Sequence, residues 1–126
     1  NEESEREWQI KRGGQWGKGK SFDAFGPIGP WLVTSDELPD PQAIPLELKV
    51  NDQVRQKSNT ADMIFPIAQI VSHLSQFMTL LPGDVVITGT PEGVGLGIKP
   101  QPVFLRRGDV MTLSAGPLGT QRQKVV

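Results

Sequence analysis

Only one segment of this chain can carry a long helix, and that limits what the rest can be. In "PIAQIVSHLSQFMTLL" the residues Ile67, Ile70, Val71, Leu74, Phe77, Met78 and Leu81 recur at steps of three and four, the period of one helix face. Pro66 suits the first turn, where its missing N–H costs nothing. The spacing predicts an amphipathic helix over residues 66–81 whose Ile67, Ile70, Leu74 and Phe77 face a sheet. Elsewhere the 14 glycines and 11 prolines among 126 residues break any such run, because Pro lacks the helix N–H and Gly loses extra backbone entropy. What remains is short strands and loops. "WLVT" at 31–34 and "VVIT" at 85–88 read as strands, the second buried. "LELKVNDQVRQ" reads as a hairpin turning at Asn51–Asp52. "GDVMTLSAGPLGTQRQKVV" reads as two strands joined around "GPLGT". Ser4 and Glu7 stand at capping-box spacing, so a short helix is expected from Ser4. The class is α+β, β-dominated, in one domain.

Composition removes several functions. The formal charge is −1, with one histidine and no cysteine. There is no global field for nucleic acid or a membrane surface. A thiolate zinc site, a disulfide scaffold and a cysteine nucleophile are excluded, as is any site needing two imidazoles. No apolar run approaches the roughly 20 residues of a membrane helix. The chain opens on Asn1 rather than Met, which leads to the expectation that it belongs to a longer protein.

"GQWGKGKS" spells G-x-x-x-x-G-K-S, a phosphate-binding loop in letters. Such a loop works when a buried strand feeds it and a helix starts at its Lys-Ser end. Upstream is the charged "EREWQIKRG"; downstream, "FDAFGPIGPW" holds Pro27 and Pro30. Neither flank fits, so the loop is not expected to bind nucleotide triphosphates. The string Gly93-x-Gly95-x-Gly97 fails as a dinucleotide fingerprint for the same reason, since Pro100 and Pro102 follow it.

Several polar residues could still carry chemistry. Glu2, Glu3, Glu5 and Glu7 favour a helix N-terminus, and one carboxylate could also ligate a hard cation such as Mg²⁺. Lys18 and Lys20 lie among glycines that let backbone approach a ligand. Arg6 and Gln9, three apart, share a helix face and with Lys20 could grip a carboxylate. Thr88, Thr90 and Glu92 follow the expected strand, where polar groups often face a site. His73 falls at the margin of the apolar stripe and reads as a surface or core-edge residue.

The segments "SEREWQ", "GKSFDAFGPIGPWLVT", "LELKVNDQVRQKSNTADMIF", "QFMTLLPGDVVITGTPEGVG" and "FLRRGDVMTLSAGPLGTQRQKVV" together resemble the C-terminal catalytic domain of the fumarylacetoacetate hydrolase family, in order and over nearly the whole chain. The longer loop "KRGGQWGKGKSFD" looks most like the branch acting on sugar-derived 2,4-dioxo acids and like the fumarylacetoacetate hydrolase domain proteins of mitochondria. The resemblance implies a mixed β-sandwich roll over residues 1–126, incomplete on its N-terminal side. It implies a homodimer, a Mg²⁺ or Mn²⁺ cofactor and a small 2-oxo or dioxo acid substrate. It implies no nucleic-acid or membrane partner, and a cytoplasmic location, or the mitochondrial matrix in a eukaryote. The implied reaction is hydrolytic cleavage of a carbon–carbon bond through a metal-bound enolate. In that pattern Lys20 is the lysine that neutralises substrate oxyanions, and Arg6 and Gln9 bind substrate. Thr90 binds the substrate carboxylate, and Glu2 stands where the family places a metal-binding Asp.

Three departures accompany the match. "NEESER" replaces N-D-x-S-A-R, so Glu2 is one methylene longer than the expected ligand. The Glu-x-Glu motif that supplies the other two metal ligands is absent from the chain. The family's water-activating His–Glu pair is absent too, and His73 does not align with it. Alternatives therefore remain: a decarboxylase or isomerase of the same superfamily, or a non-catalytic, metal-free paralogue or fragment.

Overall fold

A computed structural model describes residues 1–126. They form two compact units, Asn1–Leu32 and Val33–Val126. No helix is long and apolar enough to cross a membrane.

The larger unit is built on one antiparallel sheet of order β2-β1-β3-β4, with β1 Pro45–Val50, β2 Gln53–Asn59, β3 Val110–Ser114 and β4 Thr120–Lys124. The hairpin β1–β2 turns at Asn51 and Asp52, as read from the sequence. Both have positive φ, 49° and 65°, as a two-residue turn matched to strand twist requires. Asn51 does more than turn the chain. Its side chain donates to Asp109 Oδ1 at 2.8 Å and accepts from Val110 N–H at 2.9 Å, which ties the hairpin tip to the start of β3. The strands β3 and β4 flank a short 3-10 turn, Gly116–Leu118, as expected around "GPLGT".

The core is small. Ile44 and Met111 are its two buried apolar side chains, each 5% exposed. Ile44 is held by Thr60, which bonds it through both backbone and hydroxyl at 2.9 Å while donating to Pro41 O at 2.7 Å. Gln42 then fixes the helix. Its amide oxygen accepts from Ile67 N–H at 2.6 Å and its nitrogen donates to Thr60 O at 2.9 Å.

Three expectations are corrected in this unit. Helix α1 spans only Ile67–Leu74, with Pro66 just outside it. Ser75 ends it, its hydroxyl bonded to Ser72 O at 2.9 Å, a local bond that competes with helix continuation. Ile67, Ile70 and Leu74 are half-buried as the period predicts, whereas Phe77 lies beyond the helix, 62% exposed and edge-on to His73. Residues 85–88 are not a strand, and Val85 and Ile87 are 64% and 58% exposed. Apolar β-branched character makes a strand only when a ladder partner accepts it, and none pairs with this segment in the sheet. Residues 31–34 form no strand either: they run across the boundary of the two units, and Thr34 O closes a turn onto Glu37 and Leu38.

The smaller unit has no sheet. A π-helix, Glu7–Lys11, carries the wide-turn bond from Arg12 N to Glu7 O, 3.2 Å. Ser4 does not cap it. Glu5 does, accepting from Trp8 N–H at 2.7 Å. A 3-10 turn, Trp16–Gly19, follows. The Phe22 ring bridges Trp8 and Phe25, at 6.3 and 5.3 Å between centroids, and Arg12 lies 4.5 Å over Trp8. Aromatic and cation–π contacts of this kind add to burial in a unit too small for an aliphatic core. No helix starts after Ser21, so the phosphate-loop reading is excluded by the local fold.

Candidate functional site

In the smaller unit four of the five candidate residues come together. Arg6 stands just before the π-helix and Gln9 within it, and the Arg6 guanidinium donates to Gln9 Oε1 at 2.6 Å. Gln9 is 2% exposed, and its amide nitrogen has no hydrogen-bond partner. A buried N–H₂ left unpaired costs free energy, so native structures rarely keep one without a use for it. With its oxygen bound by Arg6, that amide can act only as a donor.

The lysine loop lies directly on this helix. Gly19 is buried and its carbonyl accepts from Glu5 N–H at 2.8 Å. A side chain at Gly19 could not fit: a Cβ there would stand 2.4 Å from Gln9 Cβ, 2.7 Å from Glu5 O and 2.8 Å from Gln9 Cα. The next residue is Lys20, half-buried, with its ammonium 3.3 Å from Glu2 Oε1. Lys18 is exposed. So of the two glycines of "GKGKS", Gly19 serves close packing against a helix, while Gly17 faces open space. The sequence suggests that Gly17 and Gly19 let the backbone approach a ligand; the structure gives Gly19 the different role of close contact with Gln9 and Glu5.

Glu2 is placed as a carboxylate paired to Lys20. Glu3, beside it, is pushed towards its neutral acid by burial. No group of three or more His, Asp or Glu side chains in the chain could hold a metal ion. The residues present therefore do not make a metal centre by themselves, and Glu2 offers at most one ligand.

Thr90 belongs to the larger unit, in the loop after residues 85–88. Its hydroxyl oxygen accepts from Gln56 Nε2 on β2 at 2.9 Å. Gly93, at φ +100°, lets this loop rest on the strand; a Cβ there would fall 1.9 Å from Arg55 O. Gln56 was not legible as a site residue, since a glutamine in an alternating strand carries no signal of its own.

The chain belongs to the fumarylacetoacetate hydrolase family: residues 1–126 match the model "Fumarylacetoacetate (FAA) hydrolase C-terminal". A Burkholderia ambifaria protein with a provisional hydrolase name is 60% identical over 98% of this chain, which spans 44% of that relative's length. The fumarylacetoacetate hydrolase of the psychrophile Exiguobacterium antarcticum superposes with a TM-score of 0.91 at 42% identity, covering 97% of this chain and 43% of that one. The maleylpyruvate hydrolase of Sphingobium sp. SYK-6, in complex with manganese(II) and pyruvate, gives 0.77 at 38% identity, covering 90% and 40%. The fold is thus that of the family's C-terminal domain.

Proposed function

We propose that the protein carrying this chain hydrolyses a carbon–carbon bond in a 2,4-dioxo acid, acylpyruvate-like or sugar-derived. The observation that carries the reading is the unpaired, buried Gln9 amide, oriented by Arg6 and locked through Gly19 to the loop that presents Lys20. In the reaction, water adds to the 4-carbonyl carbon and the bond between C3 and C4 breaks. Its electron pair passes to the 2-oxo acid fragment as an enolate. A proton then returns to C3, giving a carboxylic acid and a 2-oxo acid. Lys20 faces the charge that grows on the enolate oxygen, where a fixed cation lowers the barrier most. Gln9 and Arg6 hold the substrate's oxygens, and Thr90 is assigned its carboxylate.

A divalent cofactor, Mg²⁺ or Mn²⁺, is part of the proposal, with Glu2 its single ligand from this chain. The manganese of the Sphingobium enzyme supports it. The homodimer, the small-acid partner and the cytoplasmic location (mitochondrial matrix in a eukaryote) rest on the family resemblance.

The test is the native gene product, supplied with Mg²⁺ or Mn²⁺ and given 2,4-dioxopentanoate, longer 2,4-dioxo acids and oxaloacetate. Release of paired carboxylic and 2-oxo acids supports the reading. Carbon dioxide from oxaloacetate alone would make it a decarboxylase, and a spectral shift without fragmentation an isomerase. No turnover with either metal would leave the non-catalytic reading.

A further inference from the structure

Gln56 makes more bonds to the Thr90 loop than any neighbour in the sheet requires. Its amide nitrogen stands 2.9 Å from Thr90 Oγ1, 2.9 Å from Pro91 O and 3.3 Å from Glu92 O. Three acceptors around one group fix its identity as the N–H₂ end, because the amide oxygen there would face two carbonyls. We infer that Gln56 is a positioning residue that sets Thr90 as a hydrogen-bond donor for an anionic carboxylate of the substrate, an inference that rests on the role given to Thr90 above.

The argument is one of proton counting. A threonine hydroxyl has one proton and two lone pairs. Gln56 Nε2 fills one lone pair and offers no acceptor, so the Thr90 proton cannot be spent on it. A carboxylate accepts only, and a hydroxyl already polarised as an acceptor is a better donor to it. The amide has two protons for three acceptors: Thr90 Oγ1 and Pro91 O, each at 2.9 Å, take one each, and Glu92 O at 3.3 Å shares one, which ties the loop to β2 beside Thr90. Gly93 completes the seat by letting the backbone touch β2 at Arg55. Gln56 is half-buried and pairs across the sheet with Leu48, so the loop takes its position from the sheet.

The test is steady-state kinetics of the native gene product on 2,4-dioxopentanoate, with Thr90→Val, Gln56→Leu, their double variant and Gln56→Glu. Loss of one hydrogen bond to a charged group should raise KM about tenfold, with kcat changed by less than about threefold. The double variant should be no worse than Thr90→Val, since both remove the same donor. Gln56→Glu discriminates best. An ionised carboxylate there would draw the Thr90 proton to itself and repel both loop carbonyls, so KM should rise at pH 8. It should fall back towards the parent's as the pH drops through the range where a carboxyl beside carbonyls takes up a proton. A merely structural glutamine would shift the unfolding midpoint of Gln56→Glu with pH and leave KM of the folded enzyme unchanged. If Gln56→Leu does not fold, Gln56→Met keeps the length and replaces it. An unchanged KM in Thr90→Val refutes the role of Thr90, and this inference with it. A raised KM in Thr90→Val with none in the Gln56 variants, or fully additive losses, leaves Thr90 in place and refutes Gln56 alone. No turnover by the parent overturns both.

Discussion

Gly19→Ala should be among the most damaging single methyl groups that can be added to this protein. The Cβ would meet Gln9 Cβ at 2.4 Å, Glu5 O at 2.7 Å and Gln9 Cα at 2.8 Å. Two of those atoms are backbone and the third is bonded to it, so no rotamer change makes room. Either the π-helix or the lysine loop must move by about an ångström, a forced overpacking of the kind that typically costs about 1–3 kcal/mol. The move also stretches the 2.8 Å bond from Glu5 N–H to Gly19 O, worth about 1 kcal/mol. The total is about 2–4 kcal/mol of folding stability. The control lies two residues away: Gly17 has nothing within 4 Å of its added Cβ and no positive φ, so Gly17→Ala should be neutral or stabilise by about half a kcal/mol. Urea unfolding of both variants of the native gene product, followed by tryptophan fluorescence, measures the difference, since Trp8 and Trp16 flank the loop. Because Gln9 and Lys20 would separate, Gly19→Ala should also lose kcat. A Gly19→Ala loss below about half a kcal/mol, or one matched by Gly17→Ala, would refute the packing of loop on helix and the site built from it.

Lys20→Ala should lower kcat on the order of 10²–10³, while Lys18→Ala, exposed on the loop, stays within a few-fold; steady-state kinetics at saturating metal checks the order. Asp109 accepts from Asn51 Nδ2 and from Arg106 N–H, each at 2.8 Å, which hold its carboxyl below the usual 3.8. Its stabilising effect is therefore complete above pH 3.8 and is lost as the pH falls through the depressed value; Asp109→Asn should flatten that acid limb of a stability–pH curve. Leu74→Ala should cost about 1–2 kcal/mol rather than the 2–5 of a fully buried site, because Leu74 is only half-buried; urea unfolding measures it.

The parts of the fold that were legible in the sequence are those whose partners are local. The β1–β2 hairpin was readable because Asn51–Asp52 accept positive φ and the strands on either side pair with each other. The β3–β4 pair was readable for the same reason, its two strands separated only by "AGPLG". Residues 85–88 have the same β-branched character and yet form no strand, because no ladder partner lies beside them. A strand's existence is decided by its neighbour, and that neighbour is not written in the strand. The helix shows the intermediate case: the period from Ile67 to Leu74 is real, but its end was set by a serine hydroxyl bonding to the backbone at Ser72, which a hydrophobic period cannot report.

The site divides along the same line. Arg6 and Gln9 were legible as a pair because residues three apart on an α-helical turn are neighbours, and the 2.6 Å bond from the Arg6 guanidinium joins them although the chain winds as a π-helix from Glu7. The partnership of Glu2 with Lys20 was not, since 18 positions of chain separate them and the distance is closed by the seating of Gly19 on Gln9 and by the backbone bonds from Glu5 to Gly19 and from Glu3 to Phe25. Thr90 could be marked as a polar residue in a glycine-rich loop, but what gives its hydroxyl a direction is Gln56, 34 residues earlier on β2. In both cases the residue that bears the chemistry announces itself by type, lysine or threonine, whereas the residue that aims it is a glycine or a glutamine with no chemistry of its own. Aim is a tertiary property. It follows that variants at Gly19 and Gln56 should damage this protein while leaving every group assigned to the substrate unchanged.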